Sequence, residues 1–337
     1  MSIRIQAKPF ELMLKYPFSI SGYSRESTPL MLLELELDGL IGVGEASMVP
    51  YHGENLATAS EFLSKVKLDW LQAPFNFDEL RDYLDGLAPG NPNIKAAIDI
   101  ALHDLQGKID QRPCWQYFDV DPERMPLTSI TIGMDSREVI LKKVQEAEPA
   151  QILKVKLGGE ADKMLIETIR SVTDKPLFVD ANQGWKDRNQ ALELVHWLQE
   201  QGVMLIEQPM DKNNWEDNAW ITEQSSIPIL GDESIQRMAD VEKAKGVYHG
   251  INIKLMKSAG MHEAWQMIQM ARKLDLKILI GCMSETSCAT LAAAALAPLC
   301  DWADLDGPFL TKNNPFPNPD FKNGKWVLNN LPGLGIS

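Results

Sequence analysis

The chain has 337 residues, with 33 basic side chains against 47 acidic ones and a formal net charge of −14. Nucleic acid and anionic membranes bind positive faces, so an acidic chain of this kind is unsuited to either. The length admits a barrel of about 200 residues and a smaller second unit, and no apolar run reaches the length of a membrane helix.

Lys8, Glu11 and Lys15 interrupt any apolar run near the start, so no secretory signal is read there. Cys114, Cys282, Cys288 and Cys300 are dispersed without CxxC spacing, which suits reduced core thiols better than zinc or disulfides. The expected setting is cytoplasmic and the expected partner a small molecule.

Two strands open the chain, Ile3 to Phe10 and Leu30 to Leu37. The second sets Leu33, Leu35 and Leu37 against Glu34 and Glu36, the alternation of a half-buried antiparallel strand. Helical spacing follows at about 54–68, 77–87 and 93–109, the last with Ala97, Ile98, Ala101, Leu102 and Leu105 on one face. Residues 1–120 therefore read as an α+β unit.

Eight strand-length runs come next: Thr128 to Ile132, Ile152 to Leu157, Leu177 to Asp180, Val203 to Glu207, Ile227 to Gly231, Ile251 to Leu255, Lys277 to Gly281 and Trp302 to Leu305. Seven stretches of helical spacing separate them, and nothing helical of comparable length follows the eighth. Strands that alternate with helices and are apolar on both faces fit a parallel α/β barrel over 121–310. No Gly-rich phosphate turn supports a dinucleotide-binding sheet instead. Residues 311–337 are rich in Pro, Gly and Asn but contain Trp326, Val327 and Leu328, and are expected to return to the first unit.

Lys156, Asp180, Glu207, Asp232, Lys254 and Asp304 each close one of these runs, at steps of 24, 27, 25 and 22 residues and then 50, with Gly281 on the missing beat. Active sites of parallel barrels lie at the carboxyl ends of the strands. Asp180, Glu207 and Asp232 end three consecutive strands, where their charges would repel unless a cation joined them. A hard divalent ion with oxygen ligands resolves the conflict, and one Mg²⁺ suits a site that keeps positions open for substrate.

Lys154 and Lys156 leave one face of the second strand, and Lys254 ends the sixth, diametrically opposite in a ring of eight. Lysine inside a parallel strand is costly to desolvate, so the pairing calls for a chemical reason. A carboxylate at the cation would present its α-carbon between Lys156 and Lys254; one amine removes a proton and the other returns one, inverting the centre. The cation would stabilise the dianionic enediolate formed on the way. Asp304 and Asp306 share one side of the eighth strand and favour a substrate ammonium. A ligand with a carboxylate, an ammonium and an acidic α-hydrogen between them resembles a dipeptide.

Lys154-x-Lys156, Asp180-Ala181-Asn182, Ile206-Glu207-Gln208-Pro209, Gly231-Asp232-Glu233-Ser234 and Asn252-Ile253-Lys254 together resemble the enolase superfamily, muconate lactonizing subgroup, whose use of a lysine or histidine base with Mg²⁺ is a worked example of pKa tuning. The resemblance spans the whole chain. It implies a modified (β/α)7β TIM-type barrel with an α+β capping domain that the chain's end completes. It also implies that Lys156 and Lys254 form the acid/base pair, that Asp180, Glu207 and Asp232 bind Mg²⁺, and that Lys154 assists electrostatically. Asp304-Leu305-Asp306 is similar to the motif with which dipeptide epimerases hold the substrate's amino terminus.

Specificity is expected from cap loops at 18–25 and 49–54. Arg25 as a ligand favours an Ala-Glu dipeptide such as peptidoglycan would supply; otherwise Ala-Ala-like substrates fit, with Ile20, Tyr23, Tyr51 and Met283 lining the pocket. Within the subgroup, a cycloisomerase, o-succinylbenzoate synthase or N-acylamino acid racemase would use the same lysines and metal, but its substrate brings no amine to Asp304 and Asp306. Sugar-acid dehydration lacks its late histidine. A non-catalytic binding protein on this scaffold is the distant alternative. The resemblance also implies a homo-oligomer.

Overall fold

The computed structural model describes residues 2–20, 23–49 and 53–336, with the backbone alone at Ser19, Ile20 and Tyr23. Three antiparallel strands, β1 (Arg4–Ile20), β2 (Tyr23–Leu37) and β3 (Leu40–Ser47), make the first sheet. The sequence reading had two shorter strands here. Its first stopped at Phe10, although pairing with β2 continues past a register shift between Met13 and Phe18, and it had no β3 because Gly42 and Gly44 depress β-propensity.

Those glycines have a packing reason. Three helices, α1 (Leu56–Lys65), α2 (Phe77–Leu87) and α3 (Pro92–Ile109), follow the sheet, and α3 lies so close on β3 that a Cβ at Gly44 would stand 2.0 Å from Ala97 O. Leu33 and Leu35 of β2 bury against Phe62, Leu80, Leu84, Ile98 and Leu102. Helix α3 is covered on its other side too: Asp99 Oδ1 accepts from Met261 N at 2.5 Å, and Asp104 Oδ1 from Leu334 N at 2.8 Å.

The second sheet runs β4 (Ser129–Ile132), β5 (Ile152–Lys156), β6 (Leu177–Asp180), β7 (Val203–Glu207), β8 (Ile229–Gly231), β9 (Gly250–Lys254), β10 (Lys277–Gly281) and β11 (Trp302–Asp304), parallel and in unbroken chain order. A bridge between Thr128 and Ala303, with Leu305 N donating to Thr128 Oγ1 at 2.7 Å, brings the last strand beside the first. The connecting helices are α4 (Arg137–Glu146), α5 (Asp162–Arg170), α6 (Arg188–Glu200), α7 (Trp215–Gln224), α8 (Met238–Ala244), α9 (Met261–Lys273) and α10 (Ser287–Ala294). After β11 stands a single turn, α11 (Gly307–Leu310), and then a hairpin of β12 (Phe321–Lys322) and β13 (Lys325–Trp326). The tail touches both units, through Trp326 Nε1 donating to Leu305 O at 2.8 Å and Cys114 N donating to Gly333 O at 2.7 Å. No helix among the described residues is long and apolar enough to cross a membrane.

Strand period fixes what fills the barrel. Ile152, Phe178, Leu205, Leu230 and Leu279 form an apolar plug, together with Trp302. Two residues further along each strand the same face carries Lys154, Asp180, Glu207, Asp232, Gly281 and Asp304, because alternate residues share a face. Strand pairing sets Lys156 opposite Asp180, Asp180 opposite Glu207, and Gly281 opposite both Lys254 and Asp304, while Lys154 stands opposite Phe178.

Gly44→Ala is expected to lower the thermal midpoint followed by circular dichroism, at an overpacking cost of about 1–3 kcal/mol. An unchanged melt would contradict the close seating of α3 on β3.

Candidate active site

Asp180, Glu207 and Asp232 are buried, and one oxygen from each lies within 4.8 Å of the others. Asn252 Nδ2 donates to Glu207 Oε2 at 2.6 Å, whereas Glu207 Oε1 accepts no hydrogen bond and has Lys154 Nζ 2.7 Å away. Burial, together with the charges of Asp180 and Asp232, pushes Glu207 up to about 7 despite Lys154. Such a crowded, buried, all-oxygen donor set fits a hard divalent cation.

Four lysines surround these acids. Lys154, 1 % exposed, places Nζ 2.7 Å from Glu207 Oε1, 2.7 Å from Asp304 Oδ2 and 3.2 Å from Asp180 Oδ2. Burial opposes its charge, but Asp304, Glu207 and Asp180 raise its pKa well above the ordinary lysine value. Lys156 donates to Asp180 Oδ2 at 2.7 Å, and Lys254 to Asp232 Oδ2 at 2.6 Å. Lys257 donates to Asp232 Oδ1 at 2.6 Å and to the Asn252 carbonyl at 2.9 Å. Burial works against ionised carboxylates, yet Lys156 and Lys154 hold Asp180 down at about 2, and Lys254 and Lys257 hold Asp232 lower still.

In the ring, three strands separate β5 from β9 on either side, so Lys156 and Lys254 reach the mouth from opposite walls. Both line one cavity of about 380 Å³, together with Lys154, Asp232, Asp304 and Asp306. A side chain at Gly281 would come within 2.7 Å of Asn252 Oδ1 and 3.2 Å of Lys254 Cε. The missing beat of the sequence pattern is the space that Lys254 occupies.

The two aspartates of the eighth strand differ. Asp304 accepts from Ser129 Oγ at 2.6 Å and from Lys154 Nζ at 2.7 Å, one bond on each oxygen. Asp306 accepts from Thr131 N at 2.7 Å, with only a long contact from Cys282 Sγ, at 3.7 Å, on its other oxygen. Burial and the neighbouring Asp304 charge push Asp306 up to about 6, an environment that calls for a cation.

The cap contributes Phe18 and Arg25 to the same cavity. Arg25 Nη2 donates to Ser284 Oγ at 2.8 Å and its guanidinium carbon lies 5.1 Å from the Phe18 ring centre, while Nε and Nη1 are buried without a hydrogen-bond partner among the described residues. Met283 also lines the cavity. Tyr51 and the side chains of Ile20 and Tyr23 lie outside the described residues.

Four contributors had no role in the sequence reading. Asn252 stands two residues before Lys254 and shares its face, so strand period alone could have found it. Ser129 shares the inward face of the first strand in the same way. Lys257 lies in the turn after β9, where no periodicity points inward. Gln208 stood in a quoted motif without a task; its Oε1 accepts from Asp232 N at 2.9 Å and Ser234 N at 3.1 Å, while Nε2 donates to Tyr248 OH at 3.0 Å.

Family models match nearly the whole chain. Residues 3–118 match the N-terminal domain of mandelate racemase / muconate lactonizing enzyme, and residues 139–337 match the enolase C-terminal domain-like model. An L-Ala-D/L-Glu epimerase of Bacteroides thetaiotaomicron is 49% identical over 97% of this chain and 86% of its own length. The crystal structure of a dipeptide epimerase from Enterococcus faecalis V583, complexed with Mg and L-Leu-L-Tyr, superposes with a TM-score of 0.91 at 32% identity, covering 100% of both chains. The substrate-liganded L-Ala-D/L-Glu epimerase of Bacillus subtilis gives a TM-score of 0.92 at 26% identity, over 99% of this chain and 98% of that one.

Asn252→Ala, which frees Glu207 Oε2, is expected to weaken Mg²⁺ binding by about 10–100-fold, the usual cost of losing a group that orients a metal ligand. Isothermal titration with Mg²⁺ alone checks this, and an unchanged affinity would remove Glu207 from the ligand set.

Proposed function

We infer that this chain, which belongs to the mandelate racemase / muconate lactonizing enzyme family, is a Mg²⁺-dependent dipeptide epimerase that inverts the α-carbon of the second residue, with Ala-Glu as its best-fitting substrate. The observation that carries the reading is the pair Lys156 and Lys254, entering one cavity from opposite strands, each bonded to a different carboxylate of the acidic triad. The 49% identical L-Ala-D/L-Glu epimerase supports the substrate class.

A divalent cation held by Asp180, Glu207 and Asp232 would supply the positive charge that a carbon acid needs when it loses a proton beside a carboxylate. The chain's own groups do the rest. Lys156 Nζ takes or returns the α-proton on one face and Lys254 Nζ on the other, so a proton leaves from one side and a different one arrives from the opposite side. Their bonds to Asp180 and Asp232 aim both amines at the same region, where positioning contributes as much as acidity. Lys154, charged and dry, adds fixed positive potential beneath the substrate carboxylate.

Asp306 holds the α-ammonium, its second oxygen being the less engaged of its two. Arg25 takes the glutamate side chain, since two of its guanidinium nitrogens have no hydrogen-bond partner among the described residues. Phe18, 5.6 Å from Lys156 Nζ to its ring centre, helps keep water off that amine. An N-acylated or cycloisomerase substrate would leave Asp306 facing an uncharged group, which disfavours the other activities of this subgroup.

Replacing Lys156 or Lys254 by Ala should each reduce epimerisation by about 10²–10⁴-fold. In heavy water each variant should still exchange the α-proton of one epimer, L-Glu in one variant and D-Glu in the other; proton NMR of L-Ala-L-Glu and L-Ala-D-Glu reads this, and exchange of the same epimer by both would contradict opposed amines. Arg25→Met should raise KM for Ala-Glu by about 10–100-fold, the worth of a charge-assisted hydrogen bond, and leave Ala-Met nearly untouched. Equal losses on both dipeptides would remove Arg25 from side-chain recognition.

A further inference from the structure

Lys156 is the last residue of β5 and Asp180 the last of β6, and the segments that follow them contain Gly158 and Gly184. Gly158 has φ +113°, and a Cβ on it would stand 2.6 Å from Ala181 O; a Cβ on Gly184 would stand 2.3 Å from Gly158 Cα. A left-handed backbone and so close an approach both call for glycine. They bring the chain just past Lys156 against the chain just past Asp180. Leu157 N, donating to Asp180 O at 2.8 Å, continues the pairing of the two strands one residue beyond the lysine.

Beyond that point a side chain joins the two segments. Asp162, at the start of α5 and 5 % exposed, accepts from Gly158 N at 3.0 Å on each oxygen, from Gly159 N at 2.9 Å on Oδ1 and from Trp185 Nε1 at 3.0 Å on Oδ2. Trp185 is buried too and belongs to the segment after β6, where Gly184 N donates to Ala181 O at 2.7 Å. A carboxylate shut away from water is costly unless N–H groups satisfy it. The three donors are therefore held as firmly as the acid that they satisfy, and one carboxylate grips both the amides after Lys156 and the indole after Asp180.

Two things place the Lys156 amine: the backbone at the end of β5, and its 2.7 Å bond to Asp180 Oδ2. Asp162 ties the chain beyond the first to the chain beyond the second. Lys254 is secured separately, since Lys257 N and Ser258 N donate to its carbonyl at 2.9 and 3.0 Å and Lys257 Nζ donates to Asp232 Oδ1 at 2.6 Å. We propose that Asp162 is a positioning residue for Lys156 and not for Lys254, its clamp on Trp185 fixing the amine against Asp180 and so serving one face of the substrate α-carbon. This rests on the epimerase reading above. A misplacement of about 1 Å that originates away from the chemistry can cost about 10²-fold, and here the cost falls on one of the two proton transfers.

Wash-out of the α-proton in heavy water at saturating Mg²⁺, followed by proton NMR for L-Ala-L-Glu and L-Ala-D-Glu separately, tests this. The epimer that Lys156 serves is the one that Lys254→Ala still exchanges. Asp162→Ala should slow wash-out of that epimer by about 10–100-fold more than wash-out of the other. Trp185→Phe, which removes the indole N–H, and Asp162→Asn, which keeps one oxygen for the glycine amides, should each bias the rates toward the same epimer by less, and they carry the test if Asp162→Ala does not fold. Equal slowing of both epimers, as a general loosening of the barrel would give, overturns the positioning role. So does an unchanged ratio of the two rates, or a bias against the epimer that Lys254 serves. If the wild type exchanges neither epimer, the epimerase reading falls, and this role with it.

Discussion

Three carboxylates gathered in a buried pocket are the constraint around which this structure is arranged. Each is ionised only at a cost that burial sets and neighbouring positive charge offsets. The response of the fold is visible residue by residue. Lys154 sits among Asp180, Glu207 and Asp304, Lys156 pairs with Asp180, and Lys254 and Lys257 share Asp232. Glu207 has the weakest compensation and the raised pKa that goes with it, and it is there that a divalent ion relieves the most strain. The same electrostatic need that calls for the cation fixes the amines beside it.

Architecture turns that requirement into geometry. A closed parallel sheet repeats its inward face every second residue, so an apolar layer below supports a polar layer above. Opposed strands then deliver opposed side chains. The cap adds what the barrel lacks: Phe18 and Arg25 come from β1 and β2 and cover the open side. Helix α3 joins the cap to the barrel through Asp99, which accepts from Met261, and to the tail through Asp104, which accepts from Leu334. Lys154, Lys156, Asp180, Glu207 and Lys254 thus stand on barrel strands, and Phe18 and Arg25 stand on a separate sheet.

Much of this was legible in the chain. The eight barrel strands fall where apolar runs end in polar residues, and the beat between them carries the site because strand ends and active site coincide in this architecture. The resemblance to the enolase superfamily agreed with that reading, and the family models extend over both units. What escaped had specific causes. Strand β3 was hidden by Gly42 and Gly44, which exist to admit α3, a tertiary reason that no local propensity expresses. Lys257 lies beyond the strand, and Gln208 works from a left-handed backbone position, φ 36°, that a motif does not disclose. Asp304 and Asp306 looked equivalent by spacing; only the neighbouring Ser129 and Lys154 separate an engaged carboxylate from a more available one.

The most direct test follows the isotope through a first turnover. If two amines act from opposite faces, L-Ala-L-Glu incubated with the wild-type enzyme and Mg²⁺ in heavy water should give L-Ala-D-Glu carrying deuterium at the α-carbon from the earliest time point. Product that retains the original proton would show one group shuttling it between faces, and the opposed-lysine account would not survive that result.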